Sequence, residues 1–142
     1  MGSYQMVDVS QVEARNGIFR ALMDQLGVAG FRINQLELAA GAEGLEHDHI
    51  GNDQEEVYAV VAGGGVLWTG GEEIPLRAGH FVYLPPDVRR QMVAGDEGLT
   101  SIGIGSATDE TTSPISCAAV TAAQPAEQSV AARWAMGGKA AS

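Results

Sequence analysis

The chain has 142 residues, 45% apolar and 18% charged, with a formal net charge of −10 and one cysteine. That is a globular composition with material for one domain and one core, and its acidity, with no Lys/Arg cluster to offset it, argues against nucleic acid or an anionic membrane as a partner. The lone Cys117 excludes an intrachain disulfide and a thiolate metal site, which points to a reducing cytoplasm; no run approaches the ~18 apolar residues of a membrane span, and no basic-then-apolar leader opens the chain.

In chain order, Val7 to Val9 reads as a short strand, and Ser10-Gln11-Val12-Glu13 as a capping-box pattern soon interrupted by Asn16-Gly17. Ile18, Phe19, Leu22, Met23 and Leu26 fall at helical spacing and Gly27 is a natural stop, so the pattern predicts a short amphipathic helix over 18–26. Phe31 to Leu38 then reads as a strand, as do Glu56 to Ala62, Val66 to Thr69, Glu72 to Leu76, His80 to Leu84, Arg89 to Val93 and Leu99 to Ile104. Gly63-Gly64-Gly65, Gly70-Gly71, Ala78-Gly79, Pro85-Pro86-Asp87 and Gly95 to Gly98 are the expected turns and stops. Short strands at regular spacing predict an all-β antiparallel sandwich or barrel. The expected division is 1–29 for the first strand and helix, 30–106 for the barrel, and 107–142 for a linker and an Ala-rich tail. A helix over Pro125 to Met136 is conceivable there, with Val130 and Trp134 docking on the barrel.

Chemistry concentrates between Gly41 and Gly63. His47 and His49 are two apart, so in an extended segment both imidazoles face one side. Glu56 opens the next apolar run and can bring a carboxylate to the same point, with Glu55 as its competitor. Two histidines and one carboxylate suit Fe(II), and also Mn, Ni or Zn. Tyr58 shares the face of Glu56 and is expected to wall the pocket; Asp48 is expected on the surface. Gly63-Gly64-Gly65 lacks the Lys-Ser/Thr of a phosphate loop, and no Gly-x-Ser-x-Gly nucleophile elbow occurs.

These residues resemble the two signatures of the cupin superfamily. Gly41-x5-His47-x-His49 and Glu56-x6-Gly63 match the first, except that six residues rather than three or four separate His49 from Glu56. Gly79-x5-Pro85 matches the second, but Asp87, Arg90 and Ala94 stand where its Gly, His and Asn belong. The pattern is similar to a subgroup of small bacterial cupins with His-x-His and Gln-Glu-Glu-Val-Tyr, here Gln54 to Tyr58, and no second-motif histidine. The resemblance covers about residues 30 to 105 and implies a jelly-roll barrel, a divalent metal on His47, His49 and Glu56, and a homodimer to which the 18–26 helix could contribute.

Arginine has donors only and cannot replace the missing histidine as a ligand. An inward Arg90 either anchors a substrate carboxylate beside the metal or pairs with Glu56 and leaves a metal-free pocket. Met92 shares its face and would line the pocket, whereas Arg89 should point to solvent. His80 reads as a loop or strand-end residue, and Trp68 and Tyr83 as core or interface residues. The leading expectation is a metal-dependent enzyme, an oxygenase or isomerase/lyase acting on a small carboxylate-bearing molecule, with Arg90 and Tyr58 beside the metal. The other is a non-catalytic small-molecule sensor with no metal or a structural one.

Overall fold

The structure is a computed structural model and is described for residues 2–107; the expected tail helix, Val130, Trp134 and Cys117 lie outside the described residues. Among these, seven strands form one antiparallel sheet in the order β1-β2-β3-β7-β4-β5, with β6 on β4. The strands are β1 (Ala14–Arg15), β2 (Phe19–Ala21), β3 (Phe31–Leu38), β4 (Glu56–Thr69), β5 (Glu72–Arg77), β6 (Phe81–Leu84) and β7 (Gln91–Ser106). No described helix is long and apolar enough to cross a membrane.

β3 has the expected bounds and pairs residue for residue with β7, from Phe31 opposite Ser106 to Leu38 opposite Leu99. The glycine runs behave differently from their reading as turns. Gly63-Gly64-Gly65 lies inside the continuous β4, and Gly95 to Gly98 inside the continuous β7. The β4–β7 register shifts between Val60 and Ala62 and again between Gly63 and Gly65. These irregularities bend two long strands that serve both ends of the barrel, whereas true turns would have cut them. Leu38, Tyr58, Val60, Leu67, Leu76, Leu84, Met92, Ala94 and Leu99 form the core inside the bend.

The crossing is tight at Gly63. Its φ is 67°, and a Cβ there would stand 2.1 Å from the Gly98 carbonyl oxygen. Gly63→Ala should therefore destabilise the fold by at least about 2 kcal/mol, since strain in φ adds to a backbone clash. Urea unfolding checks this; a change under about 0.5 kcal/mol, the range of an ordinary surface substitution, would refute the tight crossing.

The N-terminal segment corrects two expectations. Val7 to Val9 is not a strand: Val9–Gln11 is a 3-10 turn whose N-cap Asp8 accepts from the Ser10 backbone N–H at 2.9 Å. The 18–26 helix shrinks to α1, Met23–Leu26, ended as expected by Gly27 at φ 68°. Phe19–Ala21 is instead strand, paired with Asn34 to Leu36. That pairing satisfies the β3 edge, which a helix would leave open, and it outweighs a helical pattern only nine residues long. Arg20 on this strand pairs with Glu37 and donates to the carbonyls of Val9 and Val12, tying the N-terminal turn to the sheet.

Candidate metal centre and pocket

The His47 segment runs extended against the start of β7. His47 N–H donates to the Arg90 carbonyl at 2.9 Å, and Arg90 N–H to the His47 carbonyl at 2.8 Å. This bridge seats Arg90 directly across from His47. His49 N–H donates to the Pro86 carbonyl at 2.8 Å. The chain then reverses, with the N–H groups of Asn52 and Asp53 both donating to the His49 carbonyl and Asp53 at φ 57°. The two extra residues of this loop have a use: Asn52 Oδ1 lies 3.1 Å from His49 Nδ1.

That contact orients the ring. With Nδ1–H directed at Asn52, the lone pair of His49 is on Nε2, which is buried and has no hydrogen-bond partner. His47 Nδ1 lies 3.0 Å from the Leu45 carbonyl and so must donate, which turns its Nε2 toward Glu56 and the Tyr58 hydroxyl. The rings stand edge to face, 5.2 Å apart. Glu56 Oε2 is 3.6 Å from His47 Nε2, and Oε1 is 3.3 Å from His49 Nε2. One donor atom from each residue lies within 4.8 Å of the others. Two imidazoles and a carboxylate, with tautomers set by their outer partners and one donor buried without a bond, fit a divalent metal ion.

Burial would raise the Glu56 carboxyl, but the adjacent His47 and His49 outweigh it and hold the group well below the usual carboxylate range. Its contacts to both imidazoles make Glu56 the inward carboxylate. Glu55 points outward and accepts from the Tyr83 hydroxyl at 2.6 Å. Tyr83 is exposed and not core, whereas Trp68 is half-buried. Tyr58 is buried; its hydroxyl donates to Glu56 Oε2 at 2.9 Å and stands 3.3 Å from His47 Nε2. Burial first, and then the charge of Glu56, push this phenol well above its usual pKa, with Arg90 offsetting only part.

Arg90 is fully buried. Its Nη2 lies 3.5 Å from Glu56 Oε2 and donates weakly, at 3.4 Å, to the carbonyls of Leu84 and Pro85. Nε and Nη1 have no hydrogen-bond partner. Arg90 thus turns inward but makes no bidentate pair with Glu56. Arg89 is exposed and reaches Glu46 at 3.0 Å and Asp48 at 3.2 Å. His80 caps a turn, its Nδ1 accepting from the Arg77 N–H at 3.3 Å.

The site opens into a cavity of about 250 Å3, lined also by Met92, as expected. Asn52 and the pocket residues Arg15, Arg32, Asn34, Ser101 and Gly103 were not picked out by sequence reasoning. Period-two alternation puts Arg32, Asn34 and Leu36 on one face of β3, but which face met the pocket depended on pairing with β7.

Residues 34–101 match the family model described as a cupin domain. Solved structures agree. A cupin protein from Bacteroides fragilis is 25% identical, with TM-score 0.63, over 88% of this chain and 99% of that one. A sugar phosphate isomerase of the cupin superfamily from Silicibacter pomeroyi is 26% identical, with TM-score 0.62, over 71% and 74%. A Cupin 2 conserved barrel domain protein from Salinispora arenicola is 26% identical, with TM-score 0.60, over 75% and 89%. No curated protein matches this chain. The fold is the cupin jelly roll, and the chain contains a small cupin-superfamily domain, matched over residues 34–101. Within it, arginine stands where the second signature has histidine.

Proposed function

We propose that this cupin holds a divalent metal ion (Fe, Mn, Ni or Zn) on His47, His49 and Glu56, and isomerises a small hydroxy-carbonyl compound bearing a carboxylate or phosphate. The observation that carries this reading is the preset donor set: two Nε2 atoms and one carboxylate converge, while the Nδ1 positions are tied to Leu45 and Asn52. A divalent ion held there supplies Lewis acidity toward a substrate carbonyl or hydroxyl oxygen. Arg90 supplies Nε and Nη1 as donors to an oxyanion, in a site dry enough for such contacts to be strong. Tyr58 keeps its proton and offers an O–H donor beside Glu56.

Isomerisation is preferred to oxygenation because a neighbour of similar fold and 26% identity is described as a sugar phosphate isomerase. The reaction class moves one proton between adjacent carbons and another between their two oxygens, and requires no external oxidant or reductant. Incubation of metal-loaded protein with ribose 5-phosphate in D2O should place deuterium at the carbon next to the carbonyl, read by NMR. Chelation and Arg90→Met should both abolish the signal.

One observation favours the sensor reading. The carboxylates among the described pocket residues are Glu56, already engaged, and Asp24, exposed on α1. Neither is a free base beside the triad. Saturable binding of sugar phosphates or hydroxy acids without deuterium incorporation would decide for it.

A further inference from the structure

The pocket has a second polar end, built two strands away on the same face of the sheet. In pairing order, Glu56 on β4 stands beside Gly105 on β7, which stands beside Arg32 on β3. The next inward row is Tyr58, Gly103 and Asn34, and Asn34 pairs in turn with Ala21 on β2. Each row puts a polar residue two strands from the triad, roughly 10 Å away at about 4.8 Å per strand. In these two rows β7 contributes only glycine, Gly105 and Gly103. A Cβ at Gly103 would stand 3.5 Å from the Tyr58 ring, and one at Gly105 would stand 2.5 Å from Gln54 Nε2. The glycines thus let Tyr58 and Gln54 lie low against the sheet, so the space between the ends stays open.

Charge follows the same layout. The described residues contain six cationic side chains, all arginine, in a chain of net charge −10. Three of them, Arg15, Arg32 and Arg90, line this cavity. Among the described residues that line the cavity, the acidic ones are Glu56 and Asp24. Arg90 buried at the triad, Arg32 two strands away and the exposed Arg15 place three cationic side chains along one pocket of an acidic chain.

We infer that the pocket binds a two-ended ligand: an oxygen-rich head at the triad and Arg90, and a terminal phosphate or carboxylate at Arg32 and Asn34, with Arg15 at the mouth. This rests on the proposed function for the head and adds the substrate class, a hydroxy or oxo compound of about four to six carbons with an anion at its far end. The cavity, equal to the share of roughly eight water molecules, suits a chain of that size extending toward the open side.

The test is calorimetric. Ribose 5-phosphate and 2-hydroxyglutarate carry the terminal anion as phosphate and carboxylate, and ribose lacks it. Arg32→Gln should weaken both anionic probes at least tenfold and leave ribose within twofold; Arg32→Lys should recover part of the loss. Arg15→Gln, at an exposed position, gives the same pattern with a smaller effect and no folding concern. The ratio of the two anionic affinities in the native protein tells phosphate from carboxylate. The inference is overturned if Arg32→Gln affects ribose and the anionic probes equally, or if neither anionic probe binds at millimolar concentration. Metal content, measured on the same samples, separates the two readings: anion selectivity through Arg32 in a protein that takes up no metal would end the metal proposal and leave this one standing.

Discussion

Metal-free protein carrying Arg90→Met is expected to be more stable than the native chain, by about 1–3 kcal/mol, because a buried ion whose donors are poorly satisfied is often worse than an apolar side chain of similar volume. Arg90 has no exposed surface, two nitrogens without partners, two long bonds to carbonyls, and a single 3.5 Å contact to Glu56. Methionine is unbranched, adapts to the space and strands no charge. Glu56 keeps His47 and His49 beside it, so its carboxylate is not left alone. Urea denaturation of chelator-treated protein measures the difference, and a loss of more than about 1 kcal/mol would mean that the Glu56 contact and the carbonyl bonds outweigh desolvation. The same substitution should cost anion binding. A group that destabilises the fold and serves the ligand is a common arrangement where function and stability oppose each other.

The second large effect concerns the metal. Purified without chelator, the native protein should carry about one Fe, Mn, Ni or Zn per chain. His47→Ala and Glu56→Gln should each lower affinity by more than a hundredfold, because outer partners of metal ligands alone are worth about 10–100-fold. Asn52→Ala should fall in that smaller range: it removes the acceptor that holds His49 Nδ1 and leaves all three donors in place. A graded series, with Asn52 between the native protein and the ligand variants, separates a built site from loose binding to an acidic surface. Glutamine at position 56 keeps the volume that supports Tyr58 and Arg90, so a loss there is not simply a collapsed pocket. Metal content by mass spectrometry and titration with Mn(II) are the readouts. Equal affinity across the series would sink the three-donor reading.

Much of the barrel was legible in the residues. β3 is bounded in the structure where alternation and its flanking residues put it, from Phe31 to Leu38, because both faces of that strand have a clear pattern. The spacing of His47, His49 and Glu56 also carried its meaning, since i and i+2 share a face in any extended segment and counting back from Gly63 singles out Glu56 over Glu55. The replacement of a ligand histidine by Arg90, and the need for Gly63, could likewise be read from the motifs.

Other features depended on contacts distant in sequence. Phe19–Ala21 has an apolar pattern compatible with helix, and only the open edge of β3 made it a strand. Gly63-Gly64-Gly65 has the composition of a turn; it is a bend inside β4 because Gly98 and Val93 approach its backbone too closely for any side chain. The strands over 89–93 and 99–104 merge into β7, Gln91–Ser106, for the same reason, with both long strands bending together. Arg32 and Asn34 looked like ordinary polar positions of a strand until pairing with Gly105 and Gly103 set them across the pocket from Glu56 and Tyr58. Residue type and local period determined which groups could do chemistry and on which face of a strand they lie; cross-strand register, which no local pattern encodes, decided which of those faces meet and left Arg90 buried with donors to spare.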